Sequence, residues 1–146
     1  MKASTLFRIA AVLLLLFAAG HTFGFLSFRP ATPEGAGVLN SMKTVPLTTS
    51  GPTFTYYGFY VGFGLFVTAY LLFAAFVAWH LASQARSAPH SIVMLSWGLF
   101  AVQVICLVLS WIWFSLPPAV FSAVVVVCVG WASWLVTTSP RPAPLP

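Results

Sequence analysis

Acidic side chains are almost absent from this sequence. Glu34 is the only Asp or Glu among 146 residues, and the run from Ser87 to Pro140 contains no charged side chain at all. Hydrophobic residues make up 60% of the chain, charged residues only 5%, and the mean hydropathy is +1.00. A water-soluble domain of this length could not bury so much apolar surface, so the composition predicts an integral membrane protein.

Clusters of basic or metal-ligating residues are absent as well. The six Lys and Arg residues are scattered singly along the chain, which argues against the basic patch of a nucleic-acid-binding protein. The sequence has no Cys/His spacing typical of a metal site, no phosphate-binding loop and no Ser-His-acid set. We therefore expect no metal site, no bound cofactor and no nucleic-acid partner.

Two classes of membrane protein are also disfavoured. His21 lies near one end of an apolar segment, whereas His80 and His90 flank a loop at the opposite membrane face, so His21 and His80 cannot ligate one haem iron. Small four-helix drug exporters couple transport to a carboxylate within the membrane, and no apolar segment of this chain contains one.

Four apolar segments are each long enough to cross a bilayer core of about 30 Å, which takes around 20 helical residues. Arg29-Pro30, Ser50-Gly51-Pro52, Pro89 and the Pro117-Pro118 pair separate them. The predicted helices cover about residues 5–28, 54–83, 91–116 and 119–138. The fold class predicted is therefore all-α, an antiparallel up-down four-helix transmembrane bundle.

The predicted helices form a single membrane domain over residues 1–138. A long loop over residues 29–53 joins the first two helices, and residues 139–146 form a Pro-rich tail. The first segment also fits a secretory signal, because Lys2 and Arg8 precede an apolar run and Ala18-Ala19-Gly20 resembles a cleavage site. The apolar stretch continues to Phe28, which favours a complete span.

The distribution of basic residues predicts the orientation. With four spans, Lys2, Arg8, Arg86 and Arg141 share one side of the membrane, and Arg29 and Lys43 lie on the other. The positive-inside rule then puts both termini in the cytoplasm and the long loop outside. We expect a multi-pass protein of a bacterial inner membrane.

Two G-x-x-x-G motifs predict a close contact between the first two helices. Gly20 and Gly24 lie late in the first helix, and Gly58 and Gly62 lie early in the second. Glycines let helix backbones approach closely in lipid. If the helices are antiparallel, Gly20 lies at the depth of Gly62 and Gly24 at the depth of Gly58, which predicts a crossing in the outward half of the bilayer.

A polar patch is predicted beside this crossing. An imidazole in hydrocarbon is costly unless it is paired, so His21 should face the bundle and bond a hydroxyl or backbone group. Ser96, Gln103 and Ser110 repeat every seven residues, which places them on one inward stripe. The candidate ligand-binding residues are His21, Thr22, Tyr57, Tyr60, Gln103, Trp111, Trp113 and, approaching from the loop, Glu34.

Four interpretations of this patch are open. It binds a small lipophilic molecule such as a quinone or lipid, or it is an enzyme site in which His21 acts as acid or base with Tyr57 or Glu34. Alternatively, the glycine faces bind a partner helix in a homo-oligomer or a membrane protein complex. Finally, the polar groups serve only as hydrogen bonds between helices.

The motifs His21-Thr22-x-Gly24 and Tyr57-Gly58-Phe59-Tyr60-x-Gly62-Phe63-Gly64 resemble those of a family of small uncharacterised bacterial four-helix integral membrane proteins. The resemblance covers nearly the whole chain and implies the same topology, with no established activity to transfer. In size and helix count the chain is also similar to DoxX-like proteins and to the sterol-isomerase fold. It lacks the membrane-embedded carboxylates that sterol isomerisation would need.

Overall fold

The computed structural model describes residues 2–48, 51 and 53–140. In that part of the chain, four helices are long and apolar enough to cross a membrane. The predicted all-α fold with four long apolar helices is confirmed, and the chain is a multi-pass membrane protein. The α-helices are α1 (Ala3–Leu26), α2 (Pro33–Thr44), α3 (Tyr56–Ser87), α4 (Val93–Trp113) and α5 (Leu116–Thr137).

The boundaries of the long helices lie within four residues of the predicted ones. α3 continues to Ser87, and a short 3₁₀ helix, Pro89–Ile92, precedes α4. Pro117 and Pro118 lie inside the first turn of α5, where the sequence indicated a break before the helix. Proline is tolerated there because amide groups in the first turn of a helix have no intrahelical acceptor to lose.

The predicted loop over residues 29–53 contains a helix, α2. The Thr32 hydroxyl accepts a hydrogen bond from the Gly35 amide at 3.2 Å, and Pro33 occupies the first helical position. Glu34 lies in the first turn and Lys43 in the last, which is the charge order that the helix dipole favours. A two-residue antiparallel pair, β1 (Pro46–Leu47) with β2 (Phe54–Thr55), connects α2 to α3.

The chain divides into two compact units, where the sequence indicated one domain. The core unit comprises residues 1–17 and 71–146, and the connector unit comprises residues 18–70. The core unit therefore contains parts of all four long helices, and the connector unit contains the end of α1, α2, the β pair and the start of α3. The predicted irregular tail from residue 141 onward lies outside the described residues.

Small side chains make up much of the inside of the core unit, alongside larger ones such as Phe7 and Leu81. Ala10, Ala78 and Ala132 are completely buried, as are Ser96 and Ser133. Lipid does not drive helices together as water does, so helix packing in membranes depends on small residues that permit close van der Waals contact. Alanine and serine supply that contact here.

The inward stripe predicted for α4 is confirmed. Ser96, Gln103 and Ser110 are 0%, 2% and 8% exposed. The Ser96 hydroxyl donates to the Val93 carbonyl at 2.8 Å, which satisfies it within its own helix. A seven-residue repeat covers about two helical turns, so these side chains return to the same face.

Candidate functional site

His21 is paired with the backbone of α3, as the cost of an imidazole in lipid predicts. Its Nε2 lies 3.1 Å from the carbonyl oxygen of Gly64, and the contact is partly buried. A carbonyl can only accept a hydrogen bond, so Nε2 carries the proton and donates. In the neutral ring Nδ1 is then the hydrogen-bond acceptor, and this contact fixes which nitrogen can receive a donor from another molecule.

A pair of threonine hydroxyls forms a second contact between α1 and α3. Thr22 Oγ1 and Thr68 Oγ1 are 2.8 Å apart. Thr22 also lies 2.8 Å from the Ala18 carbonyl, and Thr68 lies 3.1 Å from the Gly64 carbonyl. Two hydroxyl protons serve three contacts, so one hydroxyl donates across to the other helix while its partner donates to its own backbone.

Four rings follow one another in an array that we call the aromatic array: His21, Phe25, Tyr60 and Tyr57. The centroids of His21 and Phe25 are 5.1 Å apart, and Phe25 meets Tyr60 edge to face at 6.1 Å. Tyr60 and Tyr57 are also 6.1 Å apart. Such distances are typical of favourable aromatic pairs. Lys43 Nζ lies 5.2 Å from the centroid of Tyr57, at the far end of the array.

Phe25 is the member of the array that sequence reasoning missed. An apolar ring in an apolar helix carries no chemical signal. The sequence did contain a signal in the position of Phe25. This residue lies one helical turn after His21, and a glycine on α3 can make room for a ring. A Cβ built on Gly64 would lie 2.6 Å from Phe25 Cε2, so the ring occupies the space of the missing side chain.

The array carries hydrogen-bonding atoms that have no partner in the part of the chain that the structure describes. Neither the Tyr57 nor the Tyr60 hydroxyl makes a hydrogen bond with a described residue, and the recorded His21 bond uses Nε2 alone. The connector unit therefore presents two phenol hydroxyls and one imidazole acceptor alongside aromatic faces. Such a combination of apolar surface and a few polar groups is typical of small-molecule sites.

The four predicted packing glycines do not form the contact between α1 and α3. A Cβ on Gly20, Gly24 or Gly62 would meet no atom within 4 Å, and one on Gly58 would meet only Thr55 and the Cβ of Phe54, just before the helix, among the described residues. The close approach is at Gly64 instead. Residues two apart point to nearly opposite sides of a helix, so Gly62 faces away when Gly64 faces Phe25.

The depth register of α1 against α3 also differs from the predicted one. The predicted alignment placed Gly58 opposite Gly24, whereas Phe25, one residue further along α1, contacts Tyr60 and Gly64. The contacts therefore lie about one turn or more further along α3 than predicted. The segment of α3 that contains the glycine motif does contact α1, but the residues that face α1 are Tyr60 and Gly64.

The remaining candidate residues are divided between the units. Glu34 belongs to the connector unit, is exposed, and makes no hydrogen bond or ion pair with a described residue. Gln103 is buried in the core unit. Trp111 and Trp113 belong to that unit as well and are 71% and 76% exposed. A single patch uniting these side chains with His21 stays a prediction.

Trp111 lines an apolar groove of the core unit. The groove has a volume of about 540 Å³, and its other lining residues come from α4 and the first turns of α5, including Leu107, Ala119 and Ala123. No hydrogen-bonding side chain other than the indole lines it. An acyl chain is the kind of molecule that such a surface meets in a bilayer.

Comparison with known proteins gives no relative from which to transfer a role. No protein-family model, no curated protein and no solved structure matches the chain. Arguments about function therefore rest on the residues and their geometry.

Proposed function

We propose that this membrane protein binds a small lipophilic molecule with hydrogen-bonding oxygens, such as a quinone or a lipid, at the aromatic array. The observation that carries the proposal is the set of unused polar atoms on the array: the hydroxyls of Tyr57 and Tyr60 and Nδ1 of His21. The apolar part of such a ligand packs on aromatic side chains, while the oxygens of the ligand need hydrogen-bond partners that acyl chains do not offer.

The chemistry of the three atoms fits such a ligand. Each phenol can donate to a quinone or ester carbonyl, and Nδ1 can accept from a quinol or glycerol hydroxyl. The contact of Nε2 with Gly64 holds the ring of His21 in the orientation that keeps Nδ1 available. Thr22 supports that arrangement indirectly, because its bond to Thr68 joins the same segments of α1 and α3.

The location of the site is part of the proposal. The excess of basic residues on the side of the termini favours termini in the cytoplasm of a bacterial cell, with the connector unit towards the outer face of the inner membrane. The resemblance to the family of small bacterial four-helix membrane proteins agrees with that topology. A ligand would then reach the array from the outer leaflet.

Native mass spectrometry from a mild detergent tests the proposal, with a short-chain quinone and a diacyl lipid as separate probes. Tyr60→Phe removes one hydroxyl and keeps the ring, and it should weaken binding of the preferred probe by about two- to tenfold. His21→Gln places an amide nitrogen near the position of Nε2 and removes the ring acceptor, and it should weaken binding similarly. Tyr56→Phe is the matched control, because Tyr56 lies outside the array.

Binding of a probe by the wild type that Tyr60→Phe and His21→Gln weaken, and Tyr56→Phe does not, would support the proposal. Equal binding by the wild type and both array variants would refute it. Far-ultraviolet circular dichroism of each variant checks that the helices are intact.

A second candidate function is assembly with another transmembrane helix, and the open glycine faces favour it. Gly20 and Gly24 are exposed on one face of α1, and no described atom covers the space beside them. A helix of a partner or of a second copy could approach closely there. Gly20→Leu and Gly24→Leu should then abolish the complex in chemical cross-linking of native membranes, while the isolated chain stays folded. Unchanged cross-linking would exclude this role.

A further inference from the structure

A polar cleft lies at the end of the core unit where α1 begins and α3 and α5 end. It has a volume of about 780 Å³, and its lining includes Lys2, Ser4, Thr5, Arg86 and Ser139. All of these residues belong to the core unit. The lining thus combines two cations with the hydroxyls of Ser4 and Thr5, which is a set of hydrogen-bond donors suited to an anion, while the Ser139 hydroxyl donates to the Leu135 carbonyl at 2.9 Å.

The cations of the cleft have no acidic partner among the residues that the structure describes. Glu34, the only acidic side chain of the sequence, belongs to the connector unit. Arg86 donates through Nε to Ser4 Oγ at 3.4 Å and makes no other hydrogen bond or ion pair with a described residue. Its two terminal nitrogens therefore keep their donors for another molecule, in the planar arrangement that matches two oxygens of one phosphate.

The position of Lys2 runs against the electrostatics of its own helix. Lys2 immediately precedes α1, which starts at Ala3. The start of a helix carries a partial positive charge, so a lysine there is unfavourable unless an anion lies nearby. Arg86 by itself could be explained as a cation in the last turn of α3, where the dipole favours it. The dipole of α3 does not explain Lys2. The positive-inside rule favours basic residues on this side of the membrane, but it does not offset the cost of a lysine at a helix start, which an anion in the cleft would offset.

We infer that this cleft binds a phosphate group, held by the Arg86 guanidinium and the Lys2 ammonium beside the first turn of α1. Amide groups at a helix start are natural phosphate donors. The cleft is at the end of the bundle, which is where lipid headgroups lie, so an anionic phospholipid and a soluble phosphate compound are the two sources of that group. This site is independent of the aromatic array and of the function proposed for it.

The test compares retained lipid in native mass spectrometry of the whole protein. The two probes, phosphatidylglycerol and a diacylglycerol with the same acyl chains, differ in the phosphate headgroup. The wild type should retain phosphatidylglycerol in preference to diacylglycerol. Arg86→Gln and Lys2→Gln should each lower that preference about fivefold, because one basic residue near a membrane surface contributes roughly a factor of five. Arg86→Lys should restore part of it.

Arg8→Gln is the matched control. Arg8 is a basic residue on the same helix as Lys2, but its guanidinium lies 5.8 Å over the ring of Trp79 and is not part of the cleft lining. Equal retention of the two lipids by the wild type would overturn the inference. An unchanged preference in Arg86→Gln, or an equal loss in Arg8→Gln, would overturn it as well, since general surface charge would then explain the binding.

A second arm identifies the source of the phosphate. Glycerol phosphate is added at millimolar concentration to the wild type carrying phosphatidylglycerol. Displacement of the lipid, with the mass of glycerol phosphate bound instead, would support a site for soluble phosphate compounds. Retention of the lipid would support a headgroup site. Both results support a phosphate site if Arg86→Gln reduces the bound species.

Discussion

Gly64→Ala is the substitution for which the structure gives the clearest expectation. The new Cβ would lie 2.6 Å from Cε2 of the Phe25 ring and 2.8 Å from two further ring atoms. Carbon atoms in ordinary contact are about 3.5–4.0 Å apart, so the ring must move by about 1 Å. Because Phe25 also contacts His21 and Tyr60, that movement disturbs the aromatic array.

The size of the effect follows from two opposing terms. Forcing an extra carbon into a packed contact costs about 1–3 kcal/mol. Replacing glycine by alanine in a helix gains up to about 1 kcal/mol. Gly64→Ala alone should therefore lower the free energy of unfolding by about 0–3 kcal/mol.

Gly62→Ala is the matched control for the helix-propensity gain. Gly62 lies two residues away in the same helix, and a Cβ there would meet no described atom within 4 Å. Both variants receive the same helix-propensity gain, so it cancels from the difference between them. Gly64→Ala should be less stable than Gly62→Ala by about 1–3 kcal/mol, and this difference measures the contact with Phe25.

Unfolding by sodium dodecyl sulfate in a mild detergent, followed by circular dichroism, measures the two free energies. Combining each glycine variant with Phe25→Ala supplies the double-mutant cycle, and the difference should disappear when the ring is gone. Equal stabilities of Gly64→Ala and Gly62→Ala, within about 0.3 kcal/mol, would refute the packing of Phe25 against Gly64.

Three further predictions concern hydroxyl groups. Ser133 Oγ is buried and has no hydrogen-bond partner in the described part of the chain, so Ser133→Ala should raise the free energy of unfolding by about 1 kcal/mol, whereas Ser96→Ala should not. A double-mutant cycle of Thr22→Val and Thr68→Val should give a coupling of about 0.6 kcal/mol in the same detergent assay, and additive effects would contradict the bond. Thr32→Ala removes the cap of α2 and should speed hydrogen exchange of its amides about fivefold, an effect that unchanged exchange would disprove.

The long helices could be predicted because length and apolar composition suffice for that task. The run from Ser87 to Pro140 cannot be one helix in a bilayer, and a proline pair within it marks the only plausible turn. The α2 helix was not predicted because it is short, polar and without buried residues. Its signals were local ones, the cap at Thr32 and the following proline, which a search for apolar windows does not detect.

The pairing of His21 could be predicted, but the residues opposite it could not. The sequence from Tyr57 to Gly64 offers two rows at four-residue spacing, Gly58 with Gly62 and Tyr60 with Gly64. The row with two glycines, Gly58 and Gly62, was predicted to face α1. The observed contacts with α1 are made by Tyr60 and Gly64 instead. The rotation of a helix depends on the total fit of its neighbours, which a motif on one helix does not determine.

The connector unit leaves two kinds of surface without a partner among the described residues. In the core unit, several alanine and serine side chains are fully buried, and Ser133 Oγ is the one buried side-chain polar atom without a partner among the described residues. In the connector unit, glycine backbone lies open and two phenols lack a partner among the described residues. The acyl chains of lipids can neither donate to a polar atom nor fill a glycine face closely. A ligand at the array would satisfy the polar atoms, and a partner helix would cover the glycines. Tyr60→Phe and Gly20→Leu therefore separate the two candidate functions, because each removes only one of these contacts.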